Sequence, residues 1–403
     1  MKNVVFLLYL ICLAVQPALA QKRGQARLDS LLMDHDSTRF DTQQAKVLID
    51  LSFTYNTIDP DKGITYGLQG LEMSEKLRYK YGIVDAYRAL GVNYGFGKSE
   101  FPAAMEAFSK SLAVAEEIGE QTDAAKALNN MGVIYWFLSD FTNAIEHYFK
   151  ALKIHEALGR KDEMAITLTN IGLIYNSQKE YPKALEYLLK GNAYDEELGN
   201  KTGIASNLGN IGQIYAQMKD YLKALKYDSS ALALYEELGD KNGIARNLGN
   251  IGGIYSEMGL HLKALDQYAK ALAISKELGL QIGIATNLGA IGSAYLKVAK
   301  DKNPDELRTL FSGNVSNALQ QAEVYTDSAI VISKEIGDIS GLIKLYERLS
   351  EIQMLRGDSR GALESYKLYA MSKDSVFNME KDKKLTEASM QYEFDKKQAQ
   401  AQA

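Results

Sequence analysis

The hexapeptide Asn250-Ile-Gly-Gly-Ile-Tyr255 is one of several closely similar stretches in this 403-residue chain. The copies end at Tyr94, Tyr135, Tyr175, Tyr215, Tyr255 and Tyr295, so successive copies are 40 residues apart except the first, which lies 41 residues before the second. A fixed period of this length is typical of repeat architectures, in which each unit packs mainly against its neighbours. The sequence therefore predicts one continuous array of repeats.

Each hexapeptide is followed by a second recurring block, around Ala144, Ala184, Ala224 and Ala264. Within a unit the apolar residues lie three and four positions apart, as in Leu248, Ile251 and Tyr255, and this spacing is helical. Left-handed helix caps are expected at the glycines that follow the second block, Gly159, Gly199, Gly239 and Gly279. Asn200 and Asp240 are then the expected N-caps of the next helix. Each unit is predicted to be a helical hairpin.

The positions that recur in one unit are Leu248, Ile251, Gly252, Tyr255, Ala264, Tyr268 and Ala271. They resemble the signature of the tetratricopeptide repeat (TPR), which is large, apolar, small, aromatic, small, aromatic and small. The resemblance runs from about residue 43 to residue 373 through eight units, with a period similar to that of kinesin light chains and LGN-type adaptors. It implies an all-α fold, namely a right-handed TPR superhelix, or α-solenoid of helical hairpins.

Three glycines, Gly249, Gly252 and Gly253, lie inside the first helix of a unit. Each costs about 1 kcal/mol relative to alanine in a helix interior. We expect close approach of neighbouring helices to offset this cost at Gly252 and its equivalents. Conformational flexibility is the alternative.

The chain begins with Met1-Lys2-Asn3, the apolar run 4–15 and Ala18-Leu-Ala20, which is the layout of a cleavable secretory signal. We expect cleavage after Ala20, export to the periplasm or the extracellular space, and an N-terminal lead-in or cap at 21–42. The single cysteine, Cys12, lies in the apolar run. A lipoprotein cysteine is the alternative, although Ile11 precedes it where a small residue is expected. No later stretch has the roughly 20 apolar residues of a membrane span.

The repeat register is interrupted near residues 301–318, where 18 residues are extra. Asn303-Pro304-Asp305-Glu306 predicts a capped short helix, and the insertion has either a structural or a binding role.

Residues 374–403 are predicted to be a capping helix with a frayed end or a short coiled coil, through which the chain could self-associate. This closing segment also resembles the end of the TPR sensor region in bacterial membrane signalling proteins. The chain is then either a stand-alone relative or a truncated copy.

Several function classes are disfavoured by the composition and the motifs. The formal net charge is -5, so the basic footprint of a nucleic-acid-binding protein is missing. The four histidines, His35, His147, His155 and His261, lack metal-ligand spacing, and the chain has neither a P-loop nor a nucleophile elbow. We therefore expect no enzyme activity, no cofactor and no metal site.

The TPR resemblance implies a concave groove lined by first helices. We number the places within each unit so that the signature glycine is at place eight. The resemblance then implies that places two, five, six, nine, twelve and thirteen face this groove. Place six is Asn130, Asn170, Asn210 and Asn250. An asparagine can donate to and accept from the backbone of an extended peptide. The alternative is that these asparagines bond to neighbouring helices.

Other residues at or beside groove places are Arg88, Trp136, Phe137, Asn176, Gln213, Gln217, Glu257 and Lys297. Trp136 and Phe137 are predicted to anchor an apolar side chain, and the alternative is that Trp136 packs against the next repeat. The leading functional prediction is an exported scaffold or adaptor that binds a protein or peptide segment. The alternative is the sensory portion of a bacterial signal-transduction protein.

Overall fold

The computed structural model describes residues 19–35, 39–301 and 304–375, with side chains from Arg27 onward. Most of the predicted signal segment, including Cys12, lies outside the described residues, as does the tail from residue 376. Every regular element in the described ranges is a helix. None of these helices is both long and apolar enough to cross a membrane.

The helices form two compact units, and the boundary between them lies between Gly199 and Asn200 in the chain. The described part of unit 1 contains α1 (Leu19–Asp34), followed by the hairpins α2 (Thr42–Tyr55) and α3 (Pro60–Lys76), α4 (Lys80–Val92) and α5 (Phe101–Glu117), α6 (Gln121–Phe137) and α7 (Phe141–Ala157), and α8 (Lys161–Ser177) and α9 (Tyr181–Leu198). The first helix of each hairpin carries the recurring hexapeptide or its equivalent.

Unit 2 repeats this arrangement from Asn200 onward. Its described helices are α10 (Lys201–Gln217) and α11 (Tyr221–Leu238), α12 (Lys241–Glu257) and α13 (His261–Glu277), α14 (Gln281–Asp301), the short α15 (Pro304–Phe311) and α16 (Val315–Glu335), and finally α17 (Ile339–Arg356) and α18 (residues 359–375). The predicted all-α solenoid of helical hairpins is confirmed within each unit.

The hairpin ends have the predicted caps. Gly159, Gly199, Gly239 and Gly279 all have φ between 64° and 67°. This left-handed conformation carries no steric penalty at glycine. The side chains of Asn200 and Asp240 accept hydrogen bonds from the amides of Gly203 and Gly243 at 3.2 and 3.1 Å, so the first amides of α10 and α12 are capped.

Close helix contact at the signature glycine is also confirmed. A β-carbon at Gly252 would lie 2.7 Å from a ring carbon of Tyr268, and one at Gly132 would lie 2.9 Å from the Tyr148 ring. The group that occupies this space is mainly a side chain of the second helix. Gly249 and Gly253 are roomier, because their nearest neighbours would be 3.5 and 3.8 Å away.

The irregular spacing before the second copy of the repeat coincides with a π-helical turn. Tyr94 precedes the next helix start, Phe101, by seven residues, whereas Tyr135 precedes Phe141 by six. The end of the first helix, Asn93–Gly97, winds as a π-helix, which accommodates one extra residue without breaking the helix. The buried Asn93 amide donates to the Ser52 carbonyl at 3.0 Å and so ties this turn to α2.

The insertion near residues 301–318 packs into unit 2. Leu307 of α15 joins an apolar cluster that includes Val298 of α14, Leu319 of α16 and Ile352 of α17. The buried Glu306 accepts a hydrogen bond from the Leu262 amide at 3.3 Å, near the start of α13. These contacts favour the structural role for the insertion.

The tight glycine contact can be tested by adding one methyl group at two adjacent sites. Gly252→Ala forces the Tyr268 ring to move, and overpacking of this kind costs roughly 1–3 kcal/mol, partly offset by the higher helix propensity of alanine. We expect a lower urea midpoint for this variant. Gly253→Ala is the matched control, because the new methyl group has room, and it should be neutral or stabilising by up to about 1 kcal/mol. Equal effects of the two substitutions would contradict the contact.

Candidate functional site

The four place-six asparagines, which we call the asparagine row, lie on the first helices α6, α8, α10 and α12. Unit 1 holds Asn130 and Asn170, and unit 2 holds Asn210 and Asn250. Asn170 is buried, while the other three are half-buried. Each unit therefore presents at least one partly accessible amide of the row.

Members of the row differ in their surroundings. Asn250 lies against the buried Asp228 carboxyl of α11 and interacts with it, and Asn170 already has a partner inside the protein. In contrast, the Asn130 and Asn210 side chains form no hydrogen bond with other described residues. The two interpretations of the row thus apply to different members. Asn170 and Asn250 contact the protein itself, whereas Asn130 and Asn210 keep donors and acceptors available.

In unit 2, asparagines that the sequence analysis did not single out lie between adjacent first helices. Asn247 of α12 is buried beside Gly209 of α10. Asn287 of α14 lies beside Gly249 of α12 and donates to its own helix at the Gly283 carbonyl, at 2.9 Å. These asparagines recur 40 residues apart, and that recurrence was a signal in the sequence. Through these two contacts the first helices of unit 2 lie side by side.

The four other predicted site residues of unit 2, Gln213, Gln217, Glu257 and Lys297, lie on its first helices α10, α12 and α14. Gln213 is half-buried and Gln217 is exposed on α10, three and seven residues after Asn210. Glu257 forms an ion pair of 2.8 Å with Lys297 of α14, which also donates to the Ser256 hydroxyl at 3.1 Å. This exposed pair stabilises the fold by at most about 1 kcal/mol, so a ligand can replace it at little cost.

The aromatic end predicted for unit 1 is less open than expected. Trp136 and Phe137 are only 7% and 8% exposed. Trp136 lies in one apolar cluster with Leu168 and Ile171 of α8, and Phe137 stacks on Phe101 at a ring distance of 6.1 Å. Burial of both rings favours the alternative, in which Trp136 packs against the next repeat, over an open anchor.

Arg88 and Asn176 also have defined surroundings in unit 1. The Arg88 guanidinium donates to Asp85 at 2.5 Å and lies over the Phe53 ring at 4.9 Å, so it is held in place by its neighbours. Asn176 is buried, and its Oδ1 atom has no hydrogen-bond partner in the described residues. A buried acceptor without a partner costs about 1–3 kcal/mol. Because this oxygen is covered by the surrounding residues, Asn176 is not open to a ligand as predicted.

An acidic residue that sequence analysis missed lies directly beneath the row in unit 2. Asp228 of α11 is fully buried, and burial raises the pKa of its carboxyl to about 8, while Asn250 and the Arg246 guanidinium oppose the rise. A β-carbon at Gly212 would lie 2.6 Å from its Oδ2 atom. The equivalent residues are Phe108, Tyr148, Leu188 and Tyr268. An acid at an otherwise aromatic or aliphatic position was the signal that could have revealed it.

These side chains can donate and accept hydrogen bonds along a face, which is the chemistry of binding. Within the described ranges, no group of three or more histidine, cysteine, aspartate or glutamate side chains could hold a metal ion. The predicted absence of a metal or cofactor in the whole chain stays a prediction.

The repeat itself is recognised by comparison with known families. A family model described as the tetratricopeptide repeat matches residues 123–191 and 203–277, which include both pairs of row asparagines. These repeats are tetratricopeptide repeats. No curated protein sequence shows a significant match to the chain.

Solved structures of similar fold include TPR-type bacterial regulators. The apo form of RapI is 15% identical, with a TM-score of 0.61 over 94% of this chain and 98% of that one. The apo quorum sensor NprR from B. thuringiensis is 16% identical, with a TM-score of 0.58 over 89% and 95%. The Rap conjugation gene regulator of plasmid pLS20, in complex with the Phr* peptide, is 14% identical, with a TM-score of 0.52 over 84% and 91%. The predicted resemblance to bacterial TPR sensors is confirmed at the level of the fold.

Burial of Asp228 makes a prediction about the pH dependence of stability. In the unfolded chain this carboxyl ionises near its ordinary pKa of 3.8, but in the folded chain it keeps its proton up to about pH 8. The unfolded state therefore binds fewer protons between these values, so this group lowers stability as pH rises from about 4 to about 8. Asp228→Asn should remove that decline. The difference in the free energy of unfolding between this variant and the wild type should therefore grow in favour of the variant as pH rises, and level off above about pH 8.

Urea unfolding across this pH range measures the effect. Asp266→Asn, on α13, is the matched control, because Asp266 is exposed and paired with Lys270 at 2.7 Å. An advantage of Asp228→Asn that stays constant from pH 4 to pH 9 would contradict a protonated carboxyl in the fold.

Proposed function

We propose that this chain is an exported TPR scaffold or adaptor, which holds a segment of another protein or a peptide against its first helices. The observation that carries the proposal is the asparagine row, in which Asn130 and Asn210 are half-buried on first helices and keep their side-chain hydrogen-bonding groups available. In this proposal the chain binds and positions its partner and has no catalytic role.

The row suits the backbone of an extended peptide. Each asparagine offers one acceptor oxygen and two donor hydrogens, which match the amide and carbonyl of a ligand residue without reading its side chain. Gln213 and Gln217 extend the same chemistry along α10 in unit 2. Specificity then comes from the neighbouring charged groups, of which Glu257 is one.

Two further observations support the proposal. A structure of similar fold, the Rap regulator of plasmid pLS20, was solved in complex with a peptide. The amino-terminal residues 1–20 have the layout of a secretory signal, and this supports export to the periplasm or the extracellular space.

The second candidate is the sensory portion of a bacterial signal-transduction protein. The fold of this chain is similar to that of the quorum sensor NprR, which supports this candidate. The exposed apolar residues of the last described helix support it as well. On α18, Leu363 and Tyr366 are both 55% exposed and Met371 is 67% exposed. An apolar helix face of this kind is suited to pairing between two copies of a receptor.

Removal of the available amides should weaken peptide binding without unfolding the chain. We expect random dodecapeptides displayed on phage and selected on the mature chain to include clones that bind Asn130→Ala/Asn210→Ala at least about tenfold more weakly, because in whichever unit a clone binds, the hydrogen bonds that one asparagine donates and accepts, about 1 kcal/mol each, are lost. Asn317→Ala is the matched control, since Asn317 is exposed on α16. Far-UV circular dichroism should be unchanged. If every selected clone binds the double variant as tightly as the wild type, the row is not the binding site.

The sensory candidate predicts self-association through α18. Light scattering after size exclusion should then give a dimer for the mature chain and a monomer for Met371→Glu, since a buried charge at a pairing face is costly. Met33→Glu is the control, because Met33 is an exposed methionine of α1. A wild-type chain that stays monomeric at high concentration would remove this support for the sensory candidate.

A further inference from the structure

A cleft of about 660 Å³ lies between the second helices α7 and α9 of unit 1. Its lining includes the buried side chains of Leu152, Met164 and Leu168, and the aromatic rings of Phe149, Tyr187 and Tyr194. This volume falls in the range of pockets that hold small ligands or single side chains of a partner. Most of the lining comes from second helices, and the two residues that the first helix α8 contributes, Met164 and Leu168, are buried and do not belong to the asparagine row.

The repeat allows the lining to be compared with equivalent positions elsewhere in the same chain. Lys153 is replaced by alanine in the four comparable second helices, at Ala113, Ala193, Ala233 and Ala273. The positions equivalent to Phe149 are Ser109, Leu189, Ser229 and Ala269. Leu168, in contrast, has leucine at all four equivalent positions, Leu128, Leu208, Leu248 and Leu288, and Leu152 has leucine at Leu112, Leu232 and Leu272 but asparagine at Asn192. Leucine is thus the usual residue at these two positions, whereas the repeat needs neither Phe149 nor Lys153.

Phe149 is exposed at a fixed position. It is 38% exposed, and its ring packs edge-on against Tyr187 at a centroid distance of 6.0 Å. Tyr187 is itself stacked on Tyr175 at 5.4 Å. An aromatic wall that is already ordered loses little conformational entropy when a partner binds, which is a property of interface anchors. An apolar side chain of a ligand could therefore insert beside Phe149 and over the leucines.

The charged residues at the edge of the cleft indicate which charge the ligand carries. Lys153 is exposed and has no acidic partner in the described part of the chain. Lys190 lies 5.3 Å over the Tyr187 ring and pairs with Glu186, which does not line the cleft. Glu156 is the acidic residue in the lining. Lys190 is therefore already neutralised, and glutamate also occurs at the positions equivalent to Glu156, at Glu116, Glu196 and Glu236. Lys153 is the charge in the lining that departs from the repeat and is left for a ligand, and it complements a carboxylate.

We propose that this cleft is a second docking site, which takes a segment of another protein that carries an aromatic or branched apolar side chain beside a carboxylate. The apolar side chain lies against Phe149 and Tyr194 and covers Leu152, and the carboxylate pairs with Lys153. The site is independent of the asparagine row, so it stands whether or not the row binds a peptide.

The test uses the full mature chain and random dodecapeptides displayed on phage. The variant Phe149→Ser/Lys153→Ala places in the cleft residues that equivalent helices of the chain already carry, so its helices should form normally. Circular dichroism and the emission of Trp136, which shares an apolar cluster with Leu152, check this. Lys150→Ala is the control, because Lys150 lies on α7, is paired with Glu146 and does not line the cleft.

We expect a family of clones that binds the wild type and Lys150→Ala equally and binds Phe149→Ser/Lys153→Ala at least about tenfold more weakly, as for the loss of an interface anchor. These clones should carry an aromatic or branched residue beside Asp or Glu, and they should still bind Asn130→Ala/Asn210→Ala. Lys153→Glu should instead select clones with Lys or Arg. The proposal is overturned if no clone distinguishes the wild type from the cleft variant, or if the clones that do so lack an acidic residue.

Discussion

The contact between the signature glycine of the first helix and a large side chain of the second helix is the constraint on which the hairpins depend. At Gly252 there is room for a hydrogen atom but not for a methyl group, since the Tyr268 ring occupies that space. The lost helix propensity of glycine, about 1 kcal/mol, is outweighed by burial of the ring. Because the contact recurs in successive hairpins, it sets the same orientation of first helix against second in each of them.

That orientation decides which residues are free for function. Residues of the first helix that face away from the second helix are not needed for the hairpin contact, so amides such as Asn130 and Asn210 can stay partly exposed. Where an acidic residue takes the place of the large side chain beside the signature glycine, it is held in its neutral, protonated form. Asp228, in place of an aromatic ring, is buried and keeps its proton to about pH 8. The array therefore tolerates a polar exception at one hairpin, at a cost that depends on pH.

A repeat protein provides its own reference for separating folding from function. Leucine recurs at the positions of Leu152 and Leu168, with Asn192 as the exception, because adjacent hairpins pack there, whereas Phe149 and Lys153 depart from the repeat, since their equivalents are mostly serine and alanine. An exposed aromatic ring and an unpaired lysine have no packing reason at this position. The contacts that Leu307 and Glu306 make with the surrounding helices favour a structural role for the insertion at α15.

The sequence by itself determined the helical hairpins, their caps and the glycine contact, because all three depend on residues at fixed spacing within one unit. It also placed the asparagine row on the first helices. Only the tertiary structure decided that Asn250 meets Asp228 and that Trp136 is buried among residues of the next hairpin. These outcomes depend on which side chain the neighbouring helix brings to the same point in space. Identical residues in equivalent repeats therefore differ in accessibility, and the repeat pattern alone cannot show the difference.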